Sequence, residues 1–332
     1  MTYIIAEIGQ AHDGSLGVLH SYIDAVAKTG VDAIKFQTHI ADAESSSFEE
    51  FRINFSYEDK SRFDYWKRMS FTFEQWQGIK THCDDVGLEF LSTPFSNQAV
   101  HWLERLDMKM YKVGSGDVSN YLMLDKIGRT AKPIILSSGL STLRGIAETL
   151  DYLSRYDNEV AVLQCTTKYP TDFEDVGLNV MTDIRNQFSV KTGLSDHSGS
   201  KFPSLAAAAL GADYVEVHTV FDRRIFGPDS SSSLTLDELA ELVEGIRSIE
   251  IMLSARVEKE IPKFDQKLKT MFGKSLCINK TKKVGDAITI DDLDGKKPAG
   301  KGVSVADFDQ VVGRKLTRNM EQWEFVRDSD YE

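Results

Sequence analysis

About the first 220 residues repeat one pattern eight times: a short apolar run, polar residues at its C-terminal end, then a stretch with helical periodicity. The runs lie at 3–8 (YIIAEI), 31–37 (VDAIKFQ), 88–93 (LEFLST), 110–114 (MYKVG), 133–138 (PIILSS), 160–165 (VAVLQC), 190–195 (VKTGLS) and 213–219 (DYVEVHT). Gly30, Gly87 and Gly211 stand just before three of them, where a preceding helix ends in a left-handed residue. Strands alternating with helices imply a parallel sheet, and eight such units imply an α/β fold of the (β/α)8 TIM-barrel type. A doubly wound open sheet is the alternative.

A barrel demands that functional side chains gather at the C-terminal strand ends. The tips carry Glu7, then Lys35 and Gln37, then Ser92 and Thr93, then Lys112 running into Ser115 and Asp117. They continue with Ser137 and Ser138, with Thr166, Thr167 and Tyr169, with Ser195, Asp196 and His197, and with Glu216 and His218. Strand residues two apart face the same side, so Lys35 with Gln37, and Glu216 with His218, point together into the barrel mouth. Lysines are seldom buried unless paired, which makes Lys35 and Lys112 costly residues there.

His197 and His218 end neighbouring strands, which lie under ~5 Å apart. Taken singly, each is as readily a hydrogen-bonded wall residue. Taken together, beside Glu216 and Asp196, they can share a divalent ion, and two nitrogens completed by substrate or water oxygens suit manganese, cobalt or zinc. Two lysines, the hydroxyls of Ser92, Thr93, Ser115, Ser137 and Ser195, and nearby glycine N–H groups form an expected anion site. The loop from about His39 to Ser70 is long for a barrel and carries Phe51, Phe55, Tyr57, Phe63, Tyr65 and Trp66. It reads either as a lid over the mouth or as a surface helix pair packing its own aromatics.

The formal net charge of −12 argues against a nucleic-acid partner, and it means that an anionic substrate is drawn in by local cations. No apolar run is long enough to cross a membrane, and MTYIIAEIG lacks the basic start of a secretion signal. Three cysteines, odd in number and widely spaced, point to a reducing cytoplasm. The last barrel helix covers about 235–255, so residues 1–255 form the barrel, 256–270 a charged linker, and 271–332 a small domain of β structure and turns. Its basic loop KKPAGKG (296–302) is either a solvated turn or a cationic finger that reaches a substrate.

The motifs IIAEIGQAHDGSL, DAIKFQTH, FLSTPFS, YKVGSGD, ILSSGLST, QCTTKYPT, GLSDHSGS and VEVHTVFDRRIFGPD, followed by KKPAGKG, resemble the sialic acid (nonulosonate) synthases over nearly the whole chain. The resemblance implies a barrel joined to an antifreeze-like (SAF) domain in a domain-swapped homodimer. It implies condensation of phosphoenolpyruvate with an N-acetylmannosamine-type aldose and water, giving a nonulosonic acid and phosphate. It also implies a divalent metal, manganese first and magnesium or cobalt as alternatives, on His197 and His218. Matched motif by motif, Glu7, Lys35, Lys112 and Glu216 take the catalytic positions. Gln37, Thr93, Ser115, Asp117, Ser137, Thr167, Tyr169, Ser195, Asp229 and Lys297 take substrate-binding ones. The chain departs from the family at Ala11-His12-Asp13-Gly14, at Asp117 where glutamate is common, near Thr167 and Lys168, at Ser230, and at Lys297 and Ala299 where arginine and glycine are common. Lysine does not replace arginine in planar recognition, so the sugar-reading set has drifted further than the catalytic one. Two other nonulosonate readings follow: a diacetamido-dideoxy hexose as substrate, or a sugar 6-phosphate gripped by Arg52, Arg62, Arg68, Arg223 and Arg224. A non-catalytic carbohydrate- or ice-binding protein is the reading from another class.

Overall fold

The eight apolar runs form eight parallel strands in a computed structural model that describes residues 1–51, 55–260 and 265–332. They are β1 (Tyr3–Glu7), β2 (Ala33–Thr38), β3 (Glu89–Pro94), β4 (Tyr111–Val113), β5 (Ile134–Ser137), β6 (Val160–Cys165), β7 (Lys191–Asp196) and β8 (Tyr214–Val220). Their order is β3-β2-β1-β8-β7-β6-β5-β4, and β4 lies beside β3, so the sheet curls into a nearly closed ring. This is the expected TIM barrel rather than an open sheet. The strand β9 (Leu234–Thr235) extends β8 in parallel.

Helices α1 (Leu16–Val26), α2 (Ala41–Glu44), α3 (Arg62–Met69), α4 (Phe73–Asp85), α5 (Asn97–Arg105) and α6 (Tyr121–Gly128) alternate with the first strands. Helices α7 (Leu143–Leu153), α8 (Leu178–Phe188), α9 (Phe202–Ala209) and α10 (Leu236–Ser254) follow. Local chemistry sets their starts. Ser15, Ser96 and Thr142 each accept a backbone N–H three residues on. Thr72 with Gln75, and Thr235 with Glu238, form reciprocal capping boxes. The turns before β2, β3 and β8 use Gly30, Gly87 and Gly211 at φ of +82°, +76° and +81°.

The strands sort their side chains by a period of two. One set, including Ile4, Ile34, Phe36, Phe90, Leu136, Val162 and Val215, packs outward against the helices. The alternate set fills the barrel: Ile5, Ala33, Leu91, Ile135, Ala161 and Leu163 make an apolar layer, with Tyr3, Met110 and Tyr214 packed against it. One position further along each strand's inward set, the chemistry turns polar.

The chain divides into two compact units, Met1–Ala255 and Arg256–Glu332. In the second, α11 (Gln266–Phe272) is followed by an antiparallel pair of β10 (Ser275–Ile278) and β11 (Leu293–Lys296). Eight buried apolar residues, among them Ile278, Ile288 and Val326, form its core. Part of the expected linker, 261–264, lies outside the described residues, and α11 occupies its end.

The barrel wall leaves no room at Gly193, where an added Cβ would lie 2.0 Å from the backbone oxygen of Tyr214. Gly193→Ala is therefore expected to cost at least about 1–3 kcal/mol. At about 2–4 °C per kcal/mol for a domain of this size, the thermal midpoint should fall by several degrees. An unchanged midpoint by calorimetry would refute this close approach.

Candidate active site

Above the apolar layer the inward-facing set becomes Glu7, Lys35, Thr93, Lys112, Ser137, Ser195 and Glu216, and these side chains line a cavity of about 480 Å³ at the C-terminal strand ends. Gln37, Ser115, Asp117, Thr167, Tyr169, His197, His218 and Asp229 line the same cavity. The fold thus gathers the expected catalytic, substrate-binding and metal positions except Lys297, while Ser92, Ser138, Thr166 and Asp196, also expected at the tips, do not line the cavity. That lysine belongs to the second unit, where its Nζ lies 5.0 Å from the centre of the Phe272 ring.

At the base of the cavity four ionisable groups are 0–4% exposed. Lys35 Nζ is 2.5 Å from Glu7 Oε2, 3.8 Å from Glu216 Oε1, and donates to Thr93 Oγ1 at 3.2 Å. Lys112 Nζ donates to Glu216 Oε1 at 3.1 Å and to Ser137 Oγ at 2.7 Å. Ser195 Oγ donates to Glu216 Oε1 at 3.0 Å. Burial by itself would lower the Lys35 pKa, but Glu216 and Glu7 outweigh it and hold the ammonium above its ordinary value. Burial pushes Glu216 up, and Lys112 with Lys35 pulls it further down, so its carboxylate stays below the ordinary range. Two cations and two anions cancel here, so an incoming polyanion needs positive charge beyond the lysines.

His197 and His218 stand with ring centres 5.3 Å apart. His197 Nδ1 donates to the Thr166 carbonyl at 2.9 Å, which leaves Nε2 as the acceptor nitrogen, 3.1 Å from the Tyr169 hydroxyl. The Tyr169 ring stacks on that imidazole at 4.0 Å. Burial lowers His197 to about 3, so the ring is neutral and suited to a metal. Among the described residues no group of three or more His, Cys, Asp or Glu side chains is spaced to hold an ion. The two imidazoles therefore fit a metal only if substrate or water completes its shell.

Other expectations are corrected. Ser92 is not part of the cavity, because residues 92 and 93 alternate. Thr93 faces in, while Ser92 Oγ bonds the Thr38 hydroxyl at 2.7 Å and the Phe36 carbonyl at 3.1 Å. Asp196 does not face the histidines' shared space. Its oxygens accept from Ser198 Oγ at 2.7 Å and Ser198 N at 3.1 Å. Both readings of 39–70 are correct in part: Tyr65, Trp66, Met69 and Ala41 pack with Phe51, Phe55 and Phe63, and Phe51, Phe55, Tyr65 and Trp66 also line the cavity. Residues 52–54 lie outside the described residues.

Sequence reasoning missed Gln10, His39 and Glu44, which line the cavity and connect to Gln37. A signal for His39 existed: Lys35, Gln37 and His39 continue the same two-residue spacing past the strand end.

Acid sensitivity tests the burial of this corner. His197 takes up its proton near 3 when folded but near 6.5 when unfolded, so its contribution is complete above about 6.5 and is lost as pH falls toward 3. Burial raises Asp196 from 3.8 to about 6, so its contribution is complete below 3.8 and is lost as pH rises through 6. Between about pH 4 and 6 the two oppose each other. Asp196→Asn should therefore steepen the acid loss of stability of metal-free protein by about 1.4 kcal/mol per pH unit. Urea midpoints at about pH 6, 5 and 4 measure it, and an unchanged slope would contradict the opposition.

The chain matches known proteins along most of its length. The model of the NeuB family matches residues 22–258. The chain is 32% identical to the N,N'-diacetyllegionaminic acid synthase of Campylobacter jejuni, over 98% of this chain and 99% of that protein. It is 30% identical to the human N-acetylneuraminate-9-phosphate synthase, over 96% of this chain and 90% of that one. The crystal structure of the N-acetylneuraminic acid synthetase of Leptospira borgpetersenii in complex with citrate superimposes with a TM-score of 0.71 at 26% identity, covering 80% of this chain and 90% of that one. With a barrel of this topology, a polar cavity at its C-terminal face and these matches along the chain, the protein belongs to the NeuB family of nonulosonate synthases.

Proposed function

We propose that the protein condenses phosphoenolpyruvate with an unphosphorylated N-acetylmannosamine-type aldose and water, releasing phosphate by C–O cleavage and leaving a nonulosonic acid. The observation that carries this reading is the pairing of Lys35 and Lys112 with a ring of hydroxyls at the base of a cavity open to a sugar. Lys35 and Lys112, with Thr93, Ser115, Ser137 and Ser195, hold the carboxylate and phosphate and neutralise developing charge. Carbon 3 of the enol phosphate attacks the aldehyde carbon, and positive charge develops at carbon 2. Water adds there, and the resulting tetrahedral centre expels phosphate. Glu7 handles the water's proton beside Lys35, and Glu216 balances the two lysines. His197 and His218 would hold a divalent ion, manganese with magnesium or cobalt as alternatives, which supplies positive charge and polarises the sugar's carbonyl oxygen.

The outer wall supports a sugar without a distal phosphate. Glu44, Glu49, Asp117 and Asp229 line the cavity there. Arg62 also lines it but is 2.9 Å from Glu49. Arg68 is held by Asp13 and Asp59, Arg223 by Glu238 and Arg224 by Asp222. Arg52 lies outside the described residues. Gln37, Asp117, Thr167, Tyr169 and Asp229 would meet the sugar's hydroxyls and acetamido group. A diacetamido-dideoxy hexose is the second reading, favoured by the 32% identity to the Campylobacter enzyme. We further assign catalysis to residues 1–255 and propose a domain-swapped homodimer, in which Lys297 of the antifreeze-like domain (271–332) serves the partner's barrel. The same composition and cysteine usage support a cytoplasmic enzyme.

Phosphate release from phosphoenolpyruvate with manganese, across N-acetylmannosamine, its 6-phosphate and diacetamido sugars, tests the reading. Chelator-sensitive release is expected with an unphosphorylated sugar and only weakly with the phosphate. Release with the 6-phosphate alone would overturn the sugar assignment, and release with none would overturn the activity. Glu7→Gln should lower the thermal midpoint, because Lys35 keeps only Glu216 at 3.8 Å, and its folded fraction should lose about 10²–10⁴-fold in kcat. Normal turnover in that variant would remove Glu7 from the chemistry.

A further inference from the structure

Glu7 is reached by a chain of hydrogen bonds whose direction is set far from it. Glu44, at the end of α2, is an acceptor-only carboxylate with a 7% exposed side chain. Its Oε1 is 2.6 Å from His39 Nδ1, so that nitrogen carries a hydrogen. In the neutral ring His39 Nε2 is then bare, and it accepts from the Gln10 amide nitrogen at 3.1 Å. The second hydrogen of the same Gln10 nitrogen goes to Gln37 Oε1. Gln37 must therefore turn its own amide nitrogen the other way, where it donates to Glu7 Oε1 at 2.8 Å. A flipped Gln37 would set two N–H groups against each other at Gln10 and two acceptors against each other at Glu7. A doubly protonated His39 would donate from Nε2 to Gln37 Oε1 at 3.2 Å and leave Gln37 in the same orientation.

The ring that carries this relay is clamped. His39 is stacked between Trp66 of α3, with centroids 4.0 Å apart at 18°, and Phe95, at 4.7 Å and 10°. Two aromatic faces and two in-plane hydrogen bonds leave the imidazole one orientation. Nothing in the condensation itself calls for a histidine in this place, since His39 does not contact Glu7.

We propose that His39 and Glu44 are positioning residues that fix the Gln37 amide, and through it the Glu7 carboxylate, for proton handling at the added water. The inference rests on the function proposed above. Its physical basis is directional: with Glu44 accepting, His39 leaves the Gln37 amide nitrogen facing Glu7 in either protonation state, whereas a bare Nδ1 would let the Nε2–H turn the Gln10 amide, and with it Gln37, the other way.

The test uses the full-length protein with Glu44→Met, which keeps the side-chain length but offers Nδ1 no oxygen, and His39→Phe, which keeps the stack but cuts the relay. Each is expected to lower kcat about tenfold or more while KM for phosphoenolpyruvate stays within about threefold and the thermal midpoint stays near that of the parent. Nitrogen-15 NMR of the histidine rings should show Nδ1 of His39 protonated in the parent and this state lost in Glu44→Met. Unchanged kcat in both variants would overturn the proposal. So would a loss of kcat matched by an equal rise in KM or by unfolding, because that marks a merely structural role. If the parent releases no phosphate with any sugar, the proposed function fails. The NMR state of His39 then still decides the relay: a bare Nδ1 overturns it, and a protonated one lost in Glu44→Met supports it.

Discussion

Glu7, Lys35, Glu216 and Lys112 are almost fully buried together at the base of one cavity, and the barrel has to be built around that fact. No member of this set is tolerable alone, since an unpaired buried charge costs several kcal/mol. Their mutual distances depend on strand register. Glu7 lies opposite Lys35 on one side and His218 on the other, and Ser195 lies opposite Glu216. A slip of one residue would turn these side chains toward the helices and the apolar ones inward. The charge set therefore requires a ring closed in one register, and the apolar layer beneath it supplies the packing that holds the ring there.

The same balance explains what the site is prepared to receive. Two lysines neutralised by two glutamates do not by themselves attract a polyanion into a chain of net charge −12. Hydroxyls at the strand tips, and an imidazole at His197 that stays neutral, complete the preparation. Further out the balance becomes acidic: carboxylates predominate, and among the described residues the arginines that could have opposed them are occupied by Asp13, Asp59, Asp222, Glu49 and Glu238. The cavity is thus graded, charge-balanced at its base and acidic at its mouth.

The segment over the mouth belongs to both systems. Its aromatics pack among themselves, as a surface element must to be stable. One of them, Trp66, also stacks on His39 at the end of the Gln10–Gln37 hydrogen-bond chain. Local packing of the lid and orientation of a carboxylate at the base are therefore joined through one imidazole.

Much of this was legible in the sequence because β structure has a period of two and barrels place polar residues at strand ends. That rule alone pairs Lys35 with Gln37 and Glu216 with His218, and it yields eight strands within a residue or two. It fails at Ser92 and Asp196, polar residues at strand tips that do not face in because the neighbour has the inward position or the oxygens have a nearer donor. Gln10 and Glu44 carry no signal at all, since each comes from a loop or short helix whose path is set by packing. What the sequence determined by itself is therefore the alternation: which residues share a face, and how many strands there are. Only the tertiary structure decided which charges neutralise one another, which arginines are already occupied, and which way the Gln37 amide points. Those depend on distances between atoms far apart in the chain, and a hydrogen bond or ion pair changes character within an ångström.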